Sequence, residues 1–144
     1  MIERMDNIGI VVDDLPAAIA WFVAIGLELE GEATVEGPLV DQLVGLEGVR
    51  SDVAMLRTPD GHGRIELSKF RSPSAVSSEP DPPVNRLGMG RIMFAVDDID
   101  AVVGRLPAHD ATLVGEVVQY EDQYRLCYVR GPEGILVALA EKLS

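Results

Sequence analysis

Few side chains in this sequence could carry chemistry, and their placement narrows the choice further. There are two histidines and one cysteine. His62 falls in the tight turn segment PDGHGR, and His109 follows a broken helical stretch. Neither has a histidine or carboxylate spaced to share a strand face with it, so both read as exposed turn residues. Cys127 lies in a predicted strand with no base beside it, which reads as a small buried residue rather than a nucleophile. More informative are a carboxylate, Glu66, and a guanidinium, Arg91. Strand alternation turns each of them away from the side that packs under a helix. A carboxylate so placed can accept a proton or pair with a cation, and a permanently charged guanidinium can steady an oxyanion.

The elements that must position these groups occur twice. Asn7 to Phe22 (NIGIVVDDLPAAIAWF) lies over Arg91 to Leu106 (RIMFAVDDIDAVVGRL) with Ile8/Ile92, Val12/Val96, Asp13/Asp97, Asp14/Asp98 and Ala17/Ala101 identical. A second match follows in the same order, TPDGHGRIEL at Thr58 to Leu67 against GPEGILVAL at Gly131 to Leu139. Two matches in the same order indicate an internal duplication. Each copy opens with a strand whose apolar residues alternate, Ile8-Ile10-Val12 or Ile92-Phe94-Val96. Asp-Asp then supplies a helix N-cap, helped in the first copy by Pro16. The helices are expected over Leu15–Ile25, stopped by Gly26, and over Ile99–Leu106, interrupted by Gly104.

Three strands complete each copy. They are expected at 27–35, 50–58 and 63–70, and again at 111–120, 123–130 and 135–141, with PDG at 59–61 and PEG at 132–134 turning the last hairpins. Residues 37–49 read as an irregular loop with one helical turn around Val40–Val44. One chain-long unit, 1–144, therefore divides into a first βαβββ module (1–70), a Pro/Ser-rich linker (71–88) and a second module (89–144). Alternation places Ile65 and Leu67 under the first helix and Arg64, Glu66 and Ser68 opposite. It does the same with Asn7, Gly9 and Val11, with Arg91, Met93 and Ala95, and with Leu136, Ala138 and Ala140. The resulting face, apolar with a few polar groups, suits a small-molecule site. It equally suits a face turned to water or to a second subunit.

Composition excludes several classes. With 47% hydrophobic residues the chain can build a core without disulfides or structural metal. A net charge of −12 repels phosphate backbones, so nucleic acid is not an expected partner. It would favour a cationic ligand, although a solubility role explains it as well. The N-terminal apolar run is too short for a membrane span and lacks a cleavage site, so the expectation is a cytoplasmic protein with no membrane partner.

The tandem βαβββ repeat, the strand–DD–helix openings, the PDG…IEL hairpin and the RGPEG…LAE ending resemble the vicinal oxygen chelate superfamily of glyoxalases, bleomycin-resistance proteins and dioxygenases. The resemblance implies an α+β fold in which the modules form a cupped, mixed β-sheet half-barrel with helices on the outer face, commonly as a homodimer. It also implies a divalent metal held at four positions, which here are Asn7, Glu66, Arg91 and Ala138. Only Glu66 is a ligand type those enzymes use, and Arg91 cannot ligate at all. The expected cofactor is therefore none, a divalent metal being disfavoured. One reading is a metal-free protein that sequesters a small, aromatic or cationic molecule. Asn7, Glu66 and Arg91 would supply its polar contacts, and Met55, Met93, Tyr120, Tyr124, Tyr128, Leu136 and Ala138 would line the rest. Another is a lyase, isomerase or dioxygenase with Glu66 as base and Arg91 as electrostatic stabiliser, or with an atypical divalent metal. A third is a structural Glu66–Arg91 pair with no ligand.

Overall fold

The structure is a computed structural model that describes residues 1–77 and 79–143. It is an α+β protein with two mixed sheets, in two compact units, Met1–Ser77 and Ser78–Ser144.

In the first unit, β1 (Ile8–Val11) leads into α1 (Leu15–Ala24), β2 (Glu28–Glu36), α2 (Pro38–Val44), β3 (Arg50–Arg57) and β4 (Arg64–Ser72). The sheet order is β1-β4-β3-β2, with β1 parallel to β4 and the other pairs antiparallel. Asp14 caps α1, its carboxylate accepting from the Ala17 amide at 3.0 Å, and Pro16 occupies the first turn. The helix ends where Gly26 takes φ +122°, a conformation that disfavours any side chain. Its buried face, Leu15, Ala18, Trp21 and Phe22, packs on the sheet side carrying Ala54, Leu56, Ile65 and Leu67, all buried. Burying each large apolar side chain stabilises by roughly 1.5–3 kcal/mol.

Several expected boundaries move. The loop at 37–49 contains a full short helix, α2, fastened by the Asp41 carboxylate, which accepts from the Gly48 and Val49 amides at 3.0 and 2.8 Å. That helix buries none of its residues and leaves Leu39 and Leu43 exposed. β4 extends through Arg71 and Ser72, which were expected in the linker, because its partner β3 continues to Arg50. β2 is the sheet's outer strand, almost wholly exposed and carrying Glu28, Glu30, Glu32 and Glu36.

The second unit repeats the plan with β5 (Ile92–Val96), α3 (Ile99–Gly104), β6 (Thr112–Leu113), β7 (Val118–Tyr120), β8 (Tyr124–Arg130) and β9 (Leu136–Lys142). The order is β5-β9-β8-β6, with β7 also paired to β8 and β5 parallel to β9. Asp98 caps α3 as Asp14 caps α1, accepting from the Ala101 amide at 3.0 Å. Gly104 is the last helical residue rather than an interruption, and a short 3-10 turn, Pro107–His109, follows. The strand expected at 111–120 is split. Leu113 pairs with Val129 and Val118 with Leu126, so the segment around Gly115 holds residues with no counterpart on β8.

Candidate functional site

The face of the first sheet opposite α1 is organised by one row of residues. Pairing sets Gly31 beside Met55, Met55 beside Glu66 and Glu66 beside Gly9. Because partners in register point to the same side, Glu66 and Met55 stand between two residues without side chains. A Cβ at Gly9 or Gly31 would meet nothing within 4 Å, so space stays open on both flanks. Glu66 is partly exposed, and within its unit it forms no hydrogen bond or ion pair among the described residues.

Its neighbours differ in this respect. Arg64, two residues earlier on the same strand, makes a two-pronged contact with Glu30, Nε to Oε2 at 3.0 Å and a terminal nitrogen to Oε1 at 3.2 Å. The Arg64 hydrogen bonds hold the Glu30 carboxyl below the ordinary carboxylate range, and Glu30 raises Arg64 in return. Arg57 likewise engages Glu28 at 3.2 Å. Asn7 lies just ahead of β1, is exposed, and donates from its amide to the Asp6 carboxylate at 3.1 Å.

The corresponding face of the second sheet is mostly apolar and aromatic. Met93 lies beside Ala138, and Ala138 beside Tyr128. Arg91, exposed and one residue ahead of β5, places its guanidinium 5.0 Å from the centroid of the Tyr128 ring. Since β9 separates β5 from β8, that contact crosses over β9 at Leu136 and Ala138. Met93 remains 52% exposed, whereas Leu136 and Ala138 are 9% and 0% exposed. Leu136 and Ala138, expected to line the site, are thus buried: the small Ala138 side chain lies between two larger neighbours on its row. Tyr120 and Tyr124 sit directly opposite each other where a tight turn joins β7 to β8, both exposed.

The four positions implied as metal ligands do not fit a divalent metal. Ala138 offers no donor and is buried, Arg91 is a cation turned onto an aromatic ring, and the Asn7 amide is engaged by Asp6. Glu66 alone has suitable chemistry. Among the described residues no group of three or more His, Cys, Asp or Glu is placed to hold a metal ion. His62 is exposed in its turn and Cys127 is buried, its thiol pushed up by that burial.

A separate open groove of about 1130 Å³ lies on the helix side of the first unit, between α1 and the outer strands. Its charged groups engage one another. Lys69 contacts Asp13 at 2.6 Å, Arg71 contacts Asp52 at 2.6 Å, and the Thr34 hydroxyl donates to Asp52 at 2.8 Å. That groove is on the far side of the sheet from Glu66.

A profile of the Glyoxalase/Bleomycin resistance protein/Dioxygenase superfamily matches residues 6–128. The chain belongs to this superfamily. A crystal structure of a glyoxalase family protein from Bacillus cereus is similar to it at 54% identity, covering 100% of this chain and 97% of that one, with a TM-score of 0.96. The uncharacterized protein YaeR of Escherichia coli (strain K12) is 26% identical over 142 residues, 98% of each chain. A mutant of the fosfomycin resistance protein FosX from Listeria monocytogenes, complexed with Mn(II) and a dihydroxypropylphosphonic acid, shares the fold at 14% identity and a TM-score of 0.65, covering 99% of this chain and 94% of that one. This chain has the paired-module plan, and three of the four positions that the resemblance implies as metal ligands hold asparagine, arginine and alanine. No helix among the described residues is long and apolar enough to cross a membrane.

Proposed function

We propose that this superfamily member is a metal-free binding protein that sequesters a small aromatic or cationic molecule on the sheet face opposite α1, acting as a cytoplasmic homodimer. The observation that carries the reading is Glu66, a carboxylate with no partner in its own unit, standing on an open strip between Gly9 and Gly31. A partly enclosed carboxylate without a protein partner offers a contact that a ligand cation or hydroxyl can complete. Met55 beside Glu66 adds a polarizable apolar surface. Titration against a panel of aromatic, cationic antibiotics tests the reading. The expected result is saturable binding that weakens at least tenfold in Glu66→Gln; no binding tighter than millimolar across the panel would overturn it.

A second reading, enzymatic, draws on the same observation. A general base must be free of a locking ion pair, and Glu66 meets that condition within its unit. Turnover of a candidate substrate lost in both Glu66→Gln and Arg91→Met would favour catalysis over sequestration. Metal content measured by mass spectrometry, after incubation with Mn, Fe, Ni, Co or Zn and desalting, tests the metal-free part. One equivalent retained by the wild type and lost in Glu66→Ala would overturn it.

A further inference from the structure

We infer that Arg91, its guanidinium over the Tyr128 ring, is an oxyanion-recognising fork on the second unit, and that a small molecule held there carries a carboxylate. The inference goes beyond the binding reading above, which concerns Glu66 of the first unit, and names a ligand class for the second. Three features of the second unit support it. Arg91 forms no ion pair with a carboxylate of its own unit among the described residues, so an incoming anion displaces nothing. Other arginines of that unit are differently placed. Arg125 is gripped by Asp100 at 2.8 Å and faces Glu141 at 3.7 Å. Arg130 donates to the Gly134 carbonyl at 3.4 Å and approaches Asp81 at 4.0 Å.

Second, the guanidinium is held in place without using up its donors. A ring beneath the cation attracts it through the ring's quadrupole, leaving the N–H groups in the guanidinium plane available. Two parallel N–H groups match the two oxygens of a carboxylate. Third, the surface beside the fork is apolar and accessible, with Met93 52% exposed on the neighbouring strand position. An organic body attached to the carboxylate can rest there. The net charge of −12 argues for a single negative charge rather than a phosphate dianion, because each added charge works against the same field.

The test uses the full-length protein labelled with nitrogen-15 and sodium benzoate as the probe, with neutral benzamide and cationic benzamidine as controls of the same shape. Benzoate is expected to shift the Arg91 Nε–Hε resonance saturably with a Kd of about 10 mM or tighter, while the controls leave it in place. Arg91→Lys keeps the charge but removes the fork, and should weaken benzoate at least tenfold. Tyr128→Leu should weaken it several-fold, and Tyr128→Phe should retain binding. No saturable shift with benzoate, an equal response to benzamide, or unchanged affinity in Arg91→Lys would each overturn the inference. If benzoate fails while the antibiotic panel still shows binding dependent on Glu66, the fork falls and the binding reading stands. If both fail, both fall.

Discussion

Arg91 and Tyr128 meet at 5.0 Å although β5, which Arg91 immediately precedes, and β8 are not neighbours. The contact ties the unit across β9, whose pairing with both strands supplies the backbone frame. Such a cation–ring contact at an exposed site contributes about 0.5–1 kcal/mol. A double-mutant cycle of Arg91→Met and Tyr128→Leu, followed by urea unfolding, should return a coupling energy of that size. A coupling near zero would show that the two residues merely adjoin.

The strip beside Glu66 is open because Gly9 and Gly31 have nothing within 4 Å of a Cβ position. Gly9→Val should therefore leave stability unchanged within about 1 kcal/mol, a β-branched residue being favoured in a strand. Its branched side chain would crowd the carboxylate, and affinity for any ligand held by Glu66 should fall at least tenfold. Unchanged affinity would place the ligand elsewhere.

The helix-side groove makes a prediction about acid. The Asp52 carboxyl is held below its ordinary value of 3.8 by the Thr34 hydroxyl and then by the Arg71 guanidinium. A carboxyl with a lowered folded pKa contributes stability that is fully present above the ordinary value and lost as pH falls through the folded one. Thermal midpoints measured from about pH 5 down to about pH 2.5 should decline less steeply in Asp52→Asn than in the wild type. Parallel profiles would mean that this network is energetically silent.

Cys127 is buried and its thiol is pushed up, chiefly by burial. It should react with a thiol reagent such as dithiobisnitrobenzoate far more slowly in the folded protein than after unfolding in guanidinium. Rapid labelling of the native state would show that β8 opens readily.

Much of this architecture was readable from residue patterns. The duplication located both strand–cap–helix openings, and Asp14 and Asp98 perform the same capping bond in each copy. Alternation put Glu66 on the correct face, since Ile65 and Leu67 on either side are buried. What alternation within one strand cannot supply is register between strands. Gly31 is distant in sequence and lies past the irregularity in β2 between Leu29 and Gly31, so its place in the Glu66 row emerged only from pairing. The Arg64–Glu30 contact was hidden for the same reason. The break around Gly115 was missed because apolar residues continue on both sides of it, and the burial of Ala138 depends on larger neighbours from two other strands.

The glutamates of β2 have a consequence for how molecules of this protein coexist at high concentration. An outer strand with unpaired amides and carbonyls is a template on which another chain can extend a sheet. Here Glu28, Glu30, Glu32 and Glu36 line that template, and Arg57, Arg64 and Arg50 pair with Glu28, Glu30 and Glu36, so a second copy approaching edge to edge meets a row of charged side chains of both signs. Protonating the glutamates leaves the three guanidinium charges in place beside the exposed backbone groups. Sheet extension from this strand thus meets charged side chains at neutral and at acid pH alike, and several Glu→Val substitutions along it would lower that barrier.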